Sequence, residues 1–337
     1  MAPVTNGRLL FNEIPTGLPV PGKTTVYDAS QSIDLDTVSL DGGVLVKTLV
    51  LSIDPYLRGR MRDPSIESYA VSCVLTNYGV GVVLRSEAAN VKKGDHVYGS
   101  FPFQQYFVEK NASQLRVLEN KEGLPWSVYV GVGGMPGQTA HHAWKEFASP
   151  QKGDVVFVTA GAGTTVIQIA KAEGLKVIAS AGSAEKVDFI KKIGADVAFN
   201  YKTEKTLDVL KREGPINIFW DNVGGETFEA AIEAAAVGAR FIECGMISAY
   251  NGEKPYPVKN LIQIVGKQLK IAGFIVMWLH HKYLEDFYKE IPPMVASGQI
   301  KYLEDDVTRG LDKAGEAIVD VQTGRNKGKS VILVAEE

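Results

Sequence analysis

The stretch VVFVTAGAGTTVIQIAKAEGLKVIASAGSAEK, from Val155 to Lys186, constrains the fold of this chain more than any other. DVVFVTA is a continuous apolar run, as expected of a strand with both faces buried. A glycine turn follows, then TTVIQIAKAEG, which reads as a helix closed by Gly174. KVIASAG is a second apolar strand. SAEKVDFIKKIGA places Phe189, Ile190 and Ile193 on one side of a second helix. DVAFNY, INIFWDNV, RFIECG and LKIAGFIV are further strands with helical stretches between them. Alternation of this kind predicts a parallel, doubly wound sheet.

The first third of the chain has a different texture. GGVLVKTLVLSIDPYLR, YGVGVVLRS, GDHVYGSF and QQYFVEK read as short strands between turns, which predicts an irregular, mostly antiparallel β domain. The pattern changes near Leu124. SVYVGVGGMPGQTAHHAWKEFA runs from an apolar start through a glycine-rich turn into helical spacing, with Ala140, Trp144 and Phe147 on one side. KYLEDFYKEIPPMVASGQ is a late helix, and NKGKSVILVAEE ends the chain as a strand expected to rejoin the first domain. The expected division is a discontinuous β-rich domain over 1–125 and 300–337, and an α/β domain over 126–299.

The 337 residues carry a formal net charge of −3, which gives no electrostatic reason to expect nucleic acid or an anionic membrane as partner. No apolar run approaches the roughly 18 residues of a spanning helix. No secretory signal is read at the start, and a cytoplasmic location is the expectation. Cys73 and Cys244 fit no short metal-ligand spacing and are expected as free thiols. The pairs His141–His142 and His280–His281 lack the i, i+4 spacing of a helical metal site, and are read as polar surface or local hydrogen bonding.

A glycine turn between a buried strand and a helix suits a phosphate, because the helix N-terminus offers unpaired N–H groups and partial positive charge. Here the turn is Ala160-Gly161-Ala162-Gly163-Thr164, with one G-x-G and not the full G-x-G-x-x-G. The same glycines would serve any tight strand-to-helix turn. An NAD site usually ends its second strand on Asp or Glu, which binds the ribose 2′-hydroxyl. This strand instead runs through Ser180, Ala181 and Gly182 to Ser183, with Lys186 one turn on. A hydroxyl and a cation suit a 2′-phosphate, which points to NADP(H). The alternative is that Ser183 caps the helix and Lys186 is a solvated lysine, and Glu185 weakens the electrostatic case.

LSIDPYLRGRMRD, GMPGQTA, GSAEKVDFIKKIGADVAFNYK, DNVGGETFEAAI, CGMISAYN, LKIAGFIV and GRNKGKSVI together closely resemble the medium-chain dehydrogenase/reductase superfamily. Within it the chain resembles the zinc-independent branch of leukotriene B4 12-hydroxydehydrogenases, prostaglandin reductases and NADPH-dependent alkenal double-bond reductases. The resemblance implies an α/β protein with a GroES-like β-rich catalytic domain and a Rossmann-type cofactor domain, often paired as a homodimer. It also implies residue roles. Lys186 and Tyr201 would hold the 2′-phosphate. Asn222 would contact the cofactor at a strand end, and Cys244, Gly245, Met246, Ile247, Ser248, Ala249 and Tyr250 would line its nicotinamide side. Phe274, Ile275 and Val276 would follow the last strand, Asn326 would reach the cofactor from the tail, and Met135, Pro136 and Gly137 would form a wall beside it. Equally open from the residues alone are a surface aromatic at Tyr201, a turn residue at Asn222 and plain core at 274–276.

The chain departs from the family in three places. TAGAGTTV is shorter than the usual A-x-x-G-x-x-G loop, SYAVSCVLTNYGVG lacks part of another loop, and Gly266 stands where some plant relatives carry a tyrosine. The implied reaction delivers a hydride to Cβ of an enal or enone, with a donor on the developing enolate oxygen and a proton to Cα. Tyr56 and Tyr250 are the phenols expected to polarise the carbonyl or relay the proton, while Arg58 and Arg62 either order the cleft or sit in solvent. Two other readings remain: a quinone or carbonyl reductase on the same scaffold, and a cofactor-binding protein without catalysis.

Overall fold

The computed structural model describes residues 2–62, 68–159, 163–252, 254–305 and 308–337. The chain divides into two compact units, one made of Met1–Gly134 with Leu303–Glu337, the other of Met135–Tyr302.

The first unit is built on an irregular sheet. Its strands from the leading segment are β1 (Val44–Ser52), β2 (Thr76–Ser86), β3 (His96–Pro102), β4 (Tyr106–Glu109) and β5 (Arg116–Val117). β1 pairs antiparallel with β2, with β4 and with the C-terminal strand Val331–Leu333. β1 is buried along almost its whole length, so VLVKTLVLS reads as a continuous run rather than an alternating one. Register shifts between β1 and β2 show where that sheet bends. Phe11, Phe101, Phe103, Leu57 and Ile332 share its core. A short helix α1 (Tyr56–Gly59) leaves the end of β1 through Pro55.

The second unit carries a six-stranded parallel sheet. Its strands are β6 (Val155–Thr159), β7 (Lys176–Ala181), β8 (Val197–Asn200), β9 (Ile216–Asp221), β10 (Ala235–Glu243) and β11 (Lys270–Gly273), in the order β8-β7-β6-β9-β10-β11. The strand order reverses between β6 and β9, the point at which open α/β sheets bind ligands. Successive residues split between two cores. Phe157, Phe199, Phe219 and Phe241 face one side, with Phe157 and Phe219 stacked at 5.1 Å. Val156, Val158, Ile218, Trp220 and Ile242 face the other. Helices α2 (Met135–Ala143), α3 (Gly163–Ala172), α4 (Ala184–Lys192), α5 (Thr206–Glu213), α6 (Gly225–Ala234), α7 (Gln263–Gly266) and α8 (His280–Ala296) connect and cover the strands.

Two expectations are corrected. His141 and His142 are buried, not surface residues. α2 packs against both α3 and α8, so consecutive positions on it point inward. The local hydrogen bond is present, at 3.0 Å between the two Nδ1 atoms, and His141 Nε2 meets Glu290 at 3.1 Å. Burial pushes the His142 imidazole down to about 3, so it stays neutral. The strand expected over LKIAGFIV ends at Gly273, because Phe274 turns into the core beside Trp220, with ring centroids 6.0 Å apart. Both cysteines are free.

Candidate active site

The carboxyl ends of the second unit's strands gather most of the candidate residues. Thr159 closes β6 and Asn222 follows β9. The Asn222 backbone N–H donates to Thr159 Oγ1 at 2.7 Å, and its side-chain Nδ2 donates to the Thr159 carbonyl at 2.8 Å. Asn222 thus ties the two strands at the switch point. α3 starts against this tie. A Cβ on Gly163 would stand 2.6 Å from Val158 Cγ1 and 3.5 Å from Asn222 Nδ2, so only glycine lets the helix begin this close to the sheet. Thr164 is the next helical residue, half-buried, its carbonyl accepting from Gln168 Nε2 at 3.1 Å. Gly161 and Ala162 lie outside the described residues.

At the neighbouring corner, Ser183 caps α4, its Oγ accepting from the Lys186 backbone N–H at 3.4 Å. The capping alternative therefore holds for Ser183, and the cap leaves its hydroxyl oxygen at the helix N-terminus. Tyr201 follows β8 and is half exposed, with its ring and hydroxyl over Gly182. A Cβ on Gly182 would come 2.9 Å from the Tyr201 oxygen. Ser183, Lys186 and Tyr201 thus come from two strand ends to one corner, with Glu185 in the same first helical turn.

The segment Cys244–Tyr250 is stitched to the turn after β9. The N–H groups of Cys244 and Gly245 donate to the Asp221 carbonyl at 2.9 and 3.1 Å, Ile247 N–H donates to Asn222 O at 3.2 Å, and Ser248 Oγ donates to Val223 O at 2.6 Å. Met246 lies against Gly224, and the Tyr250 hydroxyl lies over Gly245. Burial raises the Tyr250 phenol, and the Met246 backbone amide opposes that rise by favouring its oxygen. Burial, with the charges of Asp221 and Glu243, pushes the Cys244 thiol up to about 12, so it is no nucleophile.

Beneath this segment lies a pair that the sequence reading missed. Asp221 and Glu243 are register partners at the ends of β9 and β10. Asp221 accepts the Val223 N–H at 2.7 Å and the Gly224 N–H at 3.0 Å. Both Glu243 oxygens are out of solvent, and the Asp221 carboxyl is the hydrogen-bond partner beside them. Burial raises both groups and, with the smaller push of the adjacent Asp221 charge, takes Glu243 to about 9. Glu243 therefore holds the proton, and Asp221 keeps the N–H bonds.

The other candidates are dispersed. Met135, Pro136 and Gly137 form the first turn of α2, and Thr139 Oγ1 donates to Met135 O at 2.7 Å. Phe274 packs toward the core, Val276 is buried and Ile275 is exposed. Asn326 belongs to the first unit and donates to Gly328 O at 2.7 Å.

Tyr56 also belongs to the first unit, in a polar cluster of its own. Its hydroxyl meets Asn77 Oδ1. Asn77 Nδ2 donates to Ser52 O at 2.7 Å and to Asp54 Oδ2 at 3.0 Å. Lys329 Nζ lies 3.3 Å from Asp54 Oδ1 and donates to Ile53 O at 2.6 Å and Ser330 O at 2.9 Å. Arg58 is buried and donates to the Gly17, Met61 and Pro15 carbonyls, which makes it an organiser of backbone, whereas Arg62 is exposed. Asp54, Asn77 and Lys329 all stood in stretches that carry the family resemblance or its gaps, but nothing in the sequence linked them.

Residues 8–117 match a family model described as the N-terminal domain of oxidoreductase, and residues 161–292 one described as zinc-binding dehydrogenase. Among the described residues no group of three or more His, Cys, Asp or Glu is placed to hold a metal ion. The chain is 41% identical to (+)-pulegone reductase of Mentha piperita over 308 residues, covering 88% of this chain and 89% of that one. It is 38% identical to the NADP(+)-dependent 2-alkenal reductase of Nicotiana tabacum over 344 residues, covering 99% of each. The crystal structure of CurA from Vibrio vulnificus in complex with NADPH superposes with a TM-score of 0.88 at 28% identity, covering 98% of this chain and 100% of that one. The chain belongs to the medium-chain dehydrogenase/reductase family, in its zinc-independent branch.

Proposed function

We propose that this protein reduces the α,β carbon–carbon double bond of enals and enones with NADPH. What carries the reading is the identity to two double-bond reductases across most of the chain, joined to a carboxylate-free end of β7. The residues present fit the cofactor. The close start of α3 at Gly163 leaves its first N–H groups for a diphosphate, together with Thr164. Ser183, Lys186 and Tyr201 would hold the 2′-phosphate, an anion that an aspartate in their place would repel. Asn222 and the segment 244–250 would hold the nicotinamide half. When bound, the cofactor supplies the hydride.

The chain's own residues position and polarise. Cys244–Ser248 is fixed by backbone bonds to the β9 turn and so presents a preorganised wall. Of the two candidate phenols, Tyr250 is the proposed donor to the substrate carbonyl, since no described residue accepts its proton. Burial keeps that phenol neutral and able to donate. Conjugation already makes Cβ electrophilic, so the reaction requires no metal.

The test is direct. Incubation with NADPH and a medium-chain 2-alkenal is expected to yield the saturated aldehyde, and oxidation of NADPH by quinones alone would overturn the reading. Lys186→Ala is expected to raise the KM for NADPH about tenfold, on the scale of one charge-assisted hydrogen bond, while leaving NADH turnover unchanged. A homodimer forms part of the proposal. β11 is an end strand of its sheet, and Ile271, Val265, Ile262 and Trp278 around it are exposed. Light scattering is expected to give twice the chain mass, and Ile271→Lys to reduce it. Two free thiols suit a reducing compartment, which supports a cytoplasmic place.

A further inference from the structure

The cluster around Tyr56 fixes the direction of a proton. Asn77 is 2% exposed, so protein groups alone orient its amide. One end of that amide faces the Ser52 carbonyl at 2.7 Å and Asp54 Oδ2 at 3.0 Å. A carbonyl only accepts. Asp54 is the acceptor in its other contacts too, from the Ser52 hydroxyl and toward the Lys329 ammonium. The end facing them is therefore the NH2 group, and the amide oxygen points the opposite way, at the Tyr56 hydroxyl. An amide oxygen carries no hydrogen, so the hydrogen in that contact is the phenol's, and a phenol has only one.

We infer that Tyr56 meets its ligand as a hydrogen-bond acceptor, and that Asn77, Asp54 and Lys329 are positioning residues that fix this direction; the inference rests on the reductase reading above. Asp54 holds the Asn77 amide in register, and Lys329 holds Asp54 while anchoring to the Ile53 and Ser330 carbonyls. Burial and the Asp54 charge both keep the phenol protonated, and the acceptor its hydroxyl meets is Asn77 Oδ1. With that proton engaged, Tyr56 cannot also polarise a substrate carbonyl. Its lone pairs take a donor instead, an O–H on the substrate.

Neutron diffraction from a deuterium-exchanged crystal of the whole chain reads the direction itself. The expected deuteron lies between Tyr56 and Asn77 Oδ1, and a deuteron pointing elsewhere overturns the assignment. Kinetics read its use. Tyr56→Phe is expected to lower kcat/KM by about tenfold or less, the worth of one hydrogen bond. A loss confined to a 4-hydroxy-2-alkenal, and absent with the plain 2-alkenal, identifies the substrate as donor. A loss of that size with both substrates alike removes the acceptor role. A loss of about a thousandfold in kcat with KM unchanged would make Tyr56 the acid and end the proposal. Asn77→Ser should add little in the Tyr56→Phe background, and additive losses would remove the positioning role. A wild-type chain inactive on 2-alkenals, with the deuteron found as expected, sinks the reductase reading and leaves the acceptor assignment standing.

Discussion

The two units bury carboxylates in opposite ways. In the first, Asp54 faces an ammonium, Lys329, with side chains 8% and 15% exposed. In the second, Asp221 faces another carboxyl, Glu243. The first cluster neutralises its charge with a fixed cation and the second with a proton. A fixed cation works at every pH at which lysine is charged, whereas a proton departs as pH rises. One cluster therefore keeps its orientation until the Lys329 ammonium, which burial pushes down and Asp54 holds up, gives up its proton, and the other makes its strand ends pH-sensitive.

The sharpest way to break this contrast is Lys329→Met. It leaves Asp54 buried without its cation, and a loss of about 3–5 kcal/mol in urea unfolding of the first unit is expected. Adding Asp54→Asn should restore a large part of that loss, because both charges are then gone. An unchanged unfolding midpoint in the single variant would mean that water already compensates Asp54.

Glu243→Gln tests the other side, with opposite sign. The Glu243 carboxyl is raised above its unfolded value, so its contribution is fully present below about pH 4.5 and is lost as pH climbs toward about 9. The glutamine variant is expected to gain on the order of 1–2 kcal/mol at pH 8, a rise of several degrees in Tm. Its Tm should also vary less with pH between 6 and 9. A wild-type Tm that rises over that interval would contradict the shared proton.

The smallest effect is expected at an exposed pair. Arg309 and Glu336 are 70% and 75% exposed and meet at 2.7 Å. Solvent and salt screen them, so Arg309→Ala should change stability by no more than about 0.5 kcal/mol. A loss comparable to that of Lys329→Met would mean that burial is not what separates the clusters.

What the sequence disclosed follows the same division between local and distant causes. The parallel sheet was legible because strands covered on both faces carry unbroken apolar runs, as Val155–Thr159 does. The cap at Ser183 and the absence of an acid after β7 were legible because both are written within a few residues. The burial of His141 and His142 was not, since it depends on α8, more than a hundred residues further on. The Tyr56 cluster was legible in its members and hidden in its wiring. Asp54 and Tyr56 are neighbours in sequence, but Asn77 lies on β2 and Lys329 near the end of the chain. Sequence periodicity reports what a residue's face is, and carries no information about which distant polar group will share it. Glu243 shows the same limit, since its partner arrives from the neighbouring strand.

The pairing of β1 with Val331–Leu333 has a temporal consequence. A ribosome releases β1 long before it makes its partner, at roughly 5–20 residues per second. The middle unit, which is one uninterrupted segment, is free to collapse first. Meanwhile Val50, Leu51 and Ser52 wait with an unmatched edge, and Asp54 waits for Lys329. Nascent chains stalled before residue 329 should therefore be held by chaperones through the β1 region, and release of the final residues should act as the latch that ends that dependence.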